Sequence, residues 1–380
     1  MKFIKWYLIV LLFSITATNA QTKKTYDLFI GTYTNADKSN GVHIYSFDTV
    51  TGQMVPRSVT TGIPNPSYLT VSSDNKYVYA VSEAGRGQGK AYSYAYNKDS
   101  GSMTMLNSVP VGGDGPCYVS TDQKGKFIFA GMYSSGSLSA IPVSSDGSLG
   151  TNGQVFKYEG SSINKQNQSR PHVHAAILSP DGKYLLATDL GTDKIHTYRY
   201  DAGNASPLTP TEQKSVSVKA GTGPRHLTFH PNGKFVYVVM ELTAEVLVME
   251  YKNGTLKPGQ YITMLPEGFK GEVEAADIHV SPDGKFLYAS NRADGNDIVI
   301  YSIARNGSLT YAGRQKESVK TPRGFTIDPS GNFVLVANMD ANNVVIFKRN
   351  KVTGLLSSTG NEIKIDKPVC LKFATNPRPQ

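Results

Sequence analysis

A short hydrophobic hairpin in this sequence begins and ends with a charged residue. Residues 223–242, GPRHLTFHPNGKFVYVVMEL, read as two strands around a Pro-Asn-Gly-Lys turn, with Arg225 opening the first strand and Glu241 closing the second. Asn-Gly between apolar runs is a strong hairpin signal. Arginine binds carboxylate or phosphate oxygens through paired hydrogen bonds, and glutamate can accept a proton. The open end of this hairpin therefore carries groups suited to binding an anion and moving a proton.

The same ribbon recurs, and its equivalent positions supply more groups of this kind. Eight residues before each turn residue stand Ser67, Cys117, His174, Arg225, Ala276 and Arg323, and eight after it stand Glu83, Tyr133, Leu190, Glu241, Arg292 and Met339. Several arginines on one rim repel each other unless an anion joins them. We therefore predict an anion-binding pocket formed by His174, Arg225, Glu241 and Arg292, with Arg323 as a further ligand. The alternative is that Arg225 and Glu241 form a merely structural cross-strand pair.

Histidines give a second indication of a site. His172 and His174 lie two residues apart, as do Asp277 and His279, and such pairs face the same way along a strand. A metal would need three or four convergent ligands, and His-x-His lacks a convincing third partner, so we predict no metal and no cofactor. We expect His172, His279 and Arg170 to contribute to substrate binding. We expect two other histidines to be structural, namely His226 and His230.

The spacing of the ribbons predicts the fold. The turn residues Asn75, Gly125, Gly182, Gly233, Gly284 and Gly331 recur with a period near 50 residues, which is typical of a β-propeller. A second marker, a Gly-x-Leu or Gly-x-Met step after a strand, occurs seven times if one copy without its glycine is included. Residues 27–33 and 368–373 resemble the two halves of a seventh hairpin. We predict an all-β, seven-bladed propeller whose last blade is closed by strands from both termini.

The blade geometry also predicts where the chemistry lies. Four antiparallel strands place the hairpin turns on one face of the ring and the open hairpin ends on the other. The charged positions should therefore surround one mouth of the central funnel. The long polar connections 160–172 and 265–275 enter innermost strands from this face, where such loops either shape a binding site or are passive surface.

Bulk features limit the class of protein. Lys2 and Lys5 precede an apolar stretch that ends near Thr18-Asn19-Ala20, which predicts a signal peptide over 1–20 and a single exported domain over 21–380, either periplasmic or secreted, that is free of the membrane after cleavage. Removing those two lysines takes the formal charge from +9 to +7, with no basic cluster of the kind that binds nucleic acid. We expect Cys117 and Cys370 to be free thiols on different blades. The sequence does not determine the oligomeric state.

The repeated blocks carry a family resemblance. GTYT near the start, PHVHAAILSPDGKYLLATDLGTDKI, GPRHLTFHPNGKFVYVVMEL, ADIHVSPDGKFLYASNRA and PRGFTIDPSGNFVLVAN resemble the seven-bladed propeller lactonases. This family includes 6-phosphogluconolactonase and carboxymuconate-lactonizing enzymes. The resemblance implies a lactone hydrolase acting on a small anionic sugar lactone, with His174 (or His172), Arg225, Glu241 and Arg292 in the active site. Two alternatives remain open: a propeller that only binds a ligand or protein, and an enzyme that closes the lactone ring of an unsaturated diacid.

Overall fold

The computed structural model describes residues 24–33, 40–85 and 87–375, and it places all the strands of these ranges in seven antiparallel sheets of four strands each. The predicted signal peptide falls outside the described residues. Within the described ranges no helix is long and apolar enough to span a membrane. The seven-bladed all-β propeller predicted from the repeat is confirmed, since each blade holds one copy of the ribbon as its two inner strands.

The blades follow chain order, and the strands of each blade run from the innermost outward. Blade 1 consists of β4 (Tyr68–Val71), β5 (Tyr77–Ser82), β6 (Lys90–Asn97) and β7 (Ser102–Pro110); blade 2 of β8 (Pro116–Thr121), β9 (Phe127–Met132), β10 (Ser137–Pro142) and β11 (Gln154–Lys157); blade 3 of β12 (Val173–Leu178), β13 (Tyr184–Asp189), β14 (Lys194–Tyr200) and β15 (Leu208–Ser217); blade 4 of β16 (Pro224–Phe229), β17 (Phe235–Met240), β18 (Glu245–Lys252) and β19 (Thr255–Thr263). Blade 5 consists of β20 (Ala275–Val280), β21 (Phe286–Asn291), β22 (Asp297–Ile303) and β23 (Leu309–Gln315); blade 6 of β24 (Pro322–Ile327), β25 (Phe333–Asn338), β26 (Asn343–Arg349) and β27 (Leu356–Lys364); blade 7 of β28 (Pro368–Phe373), β1 (Thr25–Thr32), β2 (Asn40–Asp48) and β3 (Met54–Thr61).

Blade 7 closes the ring with strands from the two ends of the chain, as predicted. β28 pairs antiparallel with β1, and Leu28 lies opposite Phe373 in the register. The side chains of Leu28, Ile30 and Leu371 are buried in one apolar cluster with residues of blade 6. The pairing joins the two ends of the chain within one blade and so closes the ring of blades.

The two repeat markers of the sequence meet between neighbouring blades. The aromatic residue two positions after the turn packs on the glycine of the Gly-x-Leu step in the following blade, so a β-carbon on Gly254 would lie 2.3 Å from the ring of Tyr184. Tyr77 meets Gly147 and Phe235 meets Gly307 in the same way. Glycine is required at these steps for two reasons: their φ angles are positive, and the neighbouring ring occupies the space of a side chain.

The innermost strands of blades 2 to 7 share a local irregularity at the predicted mouth of the funnel. Their ladders shift register there, which marks a β-bulge with one extra residue on the inner strand. The residues spanned by these shifts are Cys117, His174, Arg225 with His226, Ala276 with Asp277, Arg323 and Val369. A bulge re-aims side chains and breaks the simple alternation of a strand. The positions predicted to carry chemistry are therefore also the positions where the ladder is irregular.

Candidate active site

Glu241 stands between two arginines that come from different blades. It follows β17, and its Oε2 atom lies 2.7 Å from Nε of Arg225 at the start of β16. Its Oε1 atom lies 3.3 Å from Nη2 of Arg292, which follows β21 in blade 5. Both carboxylate oxygens are thus engaged, and the three side chains form one cluster across the boundary between blades 4 and 5. The predicted pair of Arg225 and Glu241 is part of a larger arrangement.

Arg225 is the largest fully buried side chain of the described protein. Its Nη1 atom donates a hydrogen bond to the carbonyl oxygen of Ala276 in the next blade. Burial, together with the charges of Arg292 and Arg323 and against the effect of Glu241, lowers the pKa of Arg225 to about 10. Arg225 is still charged at neutral pH, held in place by blades 4 and 5 together.

Each arginine of the mouth has an acidic partner. Arg292 also lies 3.5 Å from Glu274, a half-exposed carboxylate just before β20. Arg323 lies 3.6 Å from Glu83, whose Oε2 atom also accepts a 2.7 Å hydrogen bond from the hydroxyl of Tyr33. The argument for an anion-binding pocket counted the arginines without these carboxylates, which already partner them. An incoming anion would compete with glutamates for the arginines.

Arg323, Glu83 and Tyr33 form a second group of side chains at the mouth. Its guanidinium carbon lies 5.0 Å from the centre of the Tyr33 ring. Burial alone would lower the pKa of Arg323, but Tyr33 and Glu83 outweigh it and raise that pKa above its ordinary value. Tyr33 and Glu83 stand at ring positions of the sequence, yet nothing in their sequence context pointed to a role in the site.

The two histidines before and in β12 sit against Tyr133 of blade 2. The ring of His172 stacks on Tyr133 with 4.1 Å between centroids, and His174 meets the same ring edge-on at 5.6 Å. The Nδ1 atom of His172 lies 2.7 Å from the carbonyl oxygen of Tyr133 and so carries the proton, which leaves the lone pair on Nε2. Burial lowers the pKa of both histidines, and the charge of Arg225 lowers that of His174 further. Both imidazoles are neutral at pH 7.

His226, which the sequence predicted to be structural, follows Arg225 in β16. It is buried beside Arg225, and its Nδ1 atom lies 2.8 Å from Oδ1 of Asp277 in blade 5. Asp277 also lies 3.1 Å from Nε2 of His279, so the two side chains do face the same way. His226 and Asp277 reach the centre because the bulges re-aim them. His230, in contrast, contacts the carbonyl oxygen of Gly284 on the turn side, as a structural residue would.

The structure brings most of the predicted site residues together, but two lie apart. Arg170 is exposed on the 160–172 connection, and its charge contributes to lowering the pKa of His172. His279 lies beyond Asp277, further from the mouth, with its ring 4.7 Å from that of Phe325. In the first long connection Gln168 donates a hydrogen bond to the carbonyl oxygen of Leu190, and in the second Glu274 contacts Arg292.

The sequence analysis did not identify several residues of the site. A second repeated position of the ribbon could have identified two of them, Tyr68 and Tyr118. Seven residues before each turn residue stand Tyr68, Tyr118, Ala175, His226, Asp277 and Gly324, a second ring directly below the first. Tyr68 and Tyr118 stack at 4.3 Å, and both meet the edge of His226. Glu274 carries no such signal, because it lies in a connection whose length is not repeated.

A small cavity lies where the two rings meet. Its volume is about 10 Å³, enough for roughly one water molecule. Its polar lining includes Ser67, Arg225, His226, Asp277 and Arg323. This cavity is too small for a sugar.

A seven-bladed propeller with arginine, glutamate and histidine side chains at the mouth of its funnel defines an enzyme class rather than a plain scaffold. A family model described as "Lactonase, 7-bladed beta-propeller" matches residues 27–373. The chain belongs to this lactonase family, which confirms the resemblance, and relatives named 6-phosphogluconolactonase confirm the lactone-hydrolase class and do not favour the binding or ring-closing alternatives.

Named relatives agree with the family assignment. The chain is 36% identical to a 6-phosphogluconolactonase of Formosa agariphila, covering 92% of this chain and 99% of the relative. It is 33% identical to a 6-phosphogluconolactonase of Bacillus subtilis, covering 91% and 97%. Among solved structures, the periplasmic gluconolactonase of Pseudomonas aeruginosa superimposes with a TM-score of 0.86 at 35% identity, covering 92% of this chain and 99% of that one.

Proposed function

We propose that this lactonase hydrolyses an anionic sugar lactone of the 6-phosphogluconolactone type at the mouth of the funnel. The observation that carries the proposal is the cluster in which Arg225 and Arg292 hold opposite oxygens of Glu241. Two fixed guanidinium groups on one side and Arg323 on the other give a sugar acid derivative more than one cationic contact. Arginine suits phosphate and carboxylate oxygens because its donors form a planar fork.

The chemistry follows from where charge develops. In ester hydrolysis the carbonyl oxygen becomes negative as water adds, and preorganised donors that face this oxygen lower the barrier. Arg225 cannot move far, because it is buried and bound to the carbonyl oxygen of Ala276. Arg225 and Arg292 therefore bind the lactone carbonyl, and Arg323 supplies a further cationic contact to the charged group of the substrate.

The reaction also needs a group that takes a proton from the attacking water. Glu241 is poorly suited, because each of its oxygens already faces an arginine. A neutral imidazole is better suited, and His172, His174 and His226 all lie at or just below the mouth. We place the proton acceptor among these three.

Export affects the choice between phosphorylated and unphosphorylated substrates. The predicted signal peptide over 1–20 supports an exported protein, and the Pseudomonas relative is named a periplasmic gluconolactonase. The Formosa and Bacillus relatives are named for the phosphorylated lactone. Fractionating cells and sequencing the mature N-terminus tests export. We expect a periplasmic or secreted protein that begins at Gln21, whereas a cytoplasmic protein beginning at residue 1 would refute it.

The substrate test compares both lactones with the purified protein. Hydrolysis of 6-phosphogluconolactone and gluconolactone is followed against the spontaneous rate, with Arg323→Gln beside the wild type. We expect Arg323→Gln to raise KM for the phosphorylated lactone at least about tenfold and to affect the unphosphorylated one less, because a charge-assisted contact is lost. Arg305→Gln, at an exposed turn outside the mouth, is the matched control. Turnover of gluconolactone alone would refute the phosphorylated substrate but not the lactonase.

A further inference from the structure

Two buried polar atoms face the small cavity without a protein partner. They are Oγ of Ser67 and Nε2 of His226, and neither has a hydrogen-bond partner among the residues that the structure describes. Ser67 is 2% exposed and His226 5% exposed, and both line the cavity. A buried polar group left unpaired costs about 1–3 kcal/mol, so such atoms are normally satisfied by ordered water.

The other side of the His226 ring is fixed. The carboxylate of Asp277 is the acceptor for Nδ1 of His226, for Nε2 of His279, and for the backbone N–H groups of Ile278 and Phe325. Since an ionised carboxylate only accepts hydrogen bonds, the proton of His226 must be on Nδ1. The lone pair on Nε2 then points away from Asp277, as in the carboxylate–histidine pairs that activate nucleophiles.

We propose that His226 Nε2 and Ser67 Oγ bind the hydrolytic water at the floor of the funnel, and that His226, oriented by Asp277, is the base that activates it. The proposal rests on the lactone hydrolysis proposed above. In this proposal His226 is a catalytic residue, Asp277 is a positioning residue, and Ser67 is the second ligand of the hydrolytic water. The cavity lies beside Arg225 and Arg323, directly below the level at which the lactone carbonyl is bound.

The step balances with water as the only co-reactant. His226 Nε2 takes one proton from the water, and the water oxygen forms a bond to the lactone carbonyl carbon. The π electrons move onto the carbonyl oxygen, which faces Arg225. When the carbonyl re-forms, the bond to the ring oxygen breaks, and that oxygen receives the proton from Nε2. The product is the open hydroxy acid, and His226 is neutral again.

His174, which the resemblance places in the active site, is less well placed for this role. Its Nδ1 atom lies 3.7 Å from the sulfur of Cys117, a buried thiol whose pKa is raised to about 12. Within the described residues no carboxylate is paired with His174 to stabilise an imidazolium, whereas Asp277 does this for His226. Burial and the charge of Arg225 lower the pKa of His226 to about 3, so its imidazole is neutral at pH 7.

The decisive comparison is His226→Gln against His230→Gln, which changes the same residue type four positions further along blade 4, outside the site. We expect His226→Gln to lower kcat for the lactone about 10²-fold or more with little change in KM. We expect His230→Gln to leave both values near those of the wild type. Asp277→Asn should lower kcat and also lower the apparent pKa of the acidic limb, because the carboxylate raises the pKa of His226, and a loss of packing alone would not shift this pKa. The titratable and charged groups that face His226 are Arg225, Asp277, Lys372, Tyr68, Tyr118 and His174.

Two further measurements keep the proposal falsifiable if His226→Gln does not fold. Ser67→Ala removes one water ligand and should lower kcat about tenfold with an unchanged melting temperature. A crystal structure should show a water within hydrogen-bond distance of both Ser67 Oγ and His226 Nε2. If the wild type turns over the lactone and either His226→Gln or Ser67→Ala is equally active, the proposal is overturned. A crystal structure without this water in the cavity would also overturn it. Absence of wild-type turnover would instead count against the proposed function.

Discussion

The Nδ1 atom of His226 lies 2.8 Å from the Oδ1 atom of Asp277, although the two residues are 51 positions apart in the chain. The separation equals one repeat, because both residues stand seven positions before the turn residue of their blade. The hydrogen bond therefore joins equivalent positions of neighbouring blades. Burial alone would raise the pKa of Asp277, but its histidine partners outweigh burial and hold that pKa well below its ordinary value. This buried hydrogen bond fixes the inner strands of blades 4 and 5 relative to each other directly below the mouth.

Replacing Glu241 with glutamine should affect both activity and stability. The change leaves Arg225 and Arg292 without the carboxylate that they share, and breaking a buried ion pair from one side costs roughly 3–5 kcal/mol. Arginines displaced by even 1 Å would lower kcat/KM about 10²-fold. Urea unfolding and steady-state kinetics on the same preparation measure the two effects. A variant with unchanged kinetics would show that the cluster is only structural.

Replacing Glu274 with glutamine is the matched comparison, since this carboxylate also contacts Arg292. Its side chain is 52% exposed, and solvent screens such pairs to about 0–1 kcal/mol. We expect kcat/KM to change less than about fivefold and the unfolding free energy to stay within about 1 kcal/mol of the wild type. A loss of kcat/KM or of unfolding free energy as large as that of Glu241→Gln would contradict the expectation that the buried ion pairs contribute more than the exposed one.

The stability contributed by His226 should depend on pH with a defined sign. The unfolded histidine binds a proton below pH 6.5, and the folded one only below about 3. Between these values the unfolded state binds more protons, so this contribution is lost as the pH falls. The stability deficit of His226→Gln relative to the wild type should therefore shrink by about 1.4 kcal/mol per unit between pH 6 and 4. Parallel stability curves of the two proteins would contradict the shifted pKa.

The contact between repeat markers predicts a difference between two glycines of blade 4. Gly254 and Gly233 both have positive φ angles, of 80° and 69°, but only Gly254 packs against a neighbouring ring. Alanine at either position incurs backbone strain of about 1–3 kcal/mol. Gly254→Ala should cost a further 1–3 kcal/mol, because the methyl group would overlap the Tyr184 ring. Denaturant unfolding measures the difference. Equal losses of unfolding free energy for the two variants would mean that blades 3 and 4 move apart readily at Gly254.

The two cysteines should be unreactive in the folded protein. Cys117 and Cys370 are free, as predicted from the sequence, and both are buried. Burial raises the pKa of their thiols to about 12 and about 11, so little reactive thiolate is present at pH 8. A colorimetric thiol reagent should detect no thiol before denaturation and two per chain afterwards. Rapid reaction of the native protein would indicate that the mouth opens.

The sequence by itself determined the number of blades, the closure by both termini, and the ring that holds Arg225, Glu241 and Arg292. It could do so because the positive-φ turn and the aromatic residue after it must recur whenever the same ribbon is packed against its neighbour. Charges at a fixed distance from that turn were therefore bound to face one mouth. The export signal and the size and charge of the substrate remain predictions from sequence and relatives.

Only the tertiary structure decided which side chains meet across the blade boundaries. Strand alternation places neighbours such as Arg225 and His226 on opposite faces, and the bulge that re-aims them leaves no mark in a single sequence. The partners Glu274 and Glu83 became evident only when the loops were placed, because ion pairs depend on distances in space and not on repeat position. For the same reason the orphaned Nε2 of His226 and its cavity could be recognised only after the blades were packed around the axis.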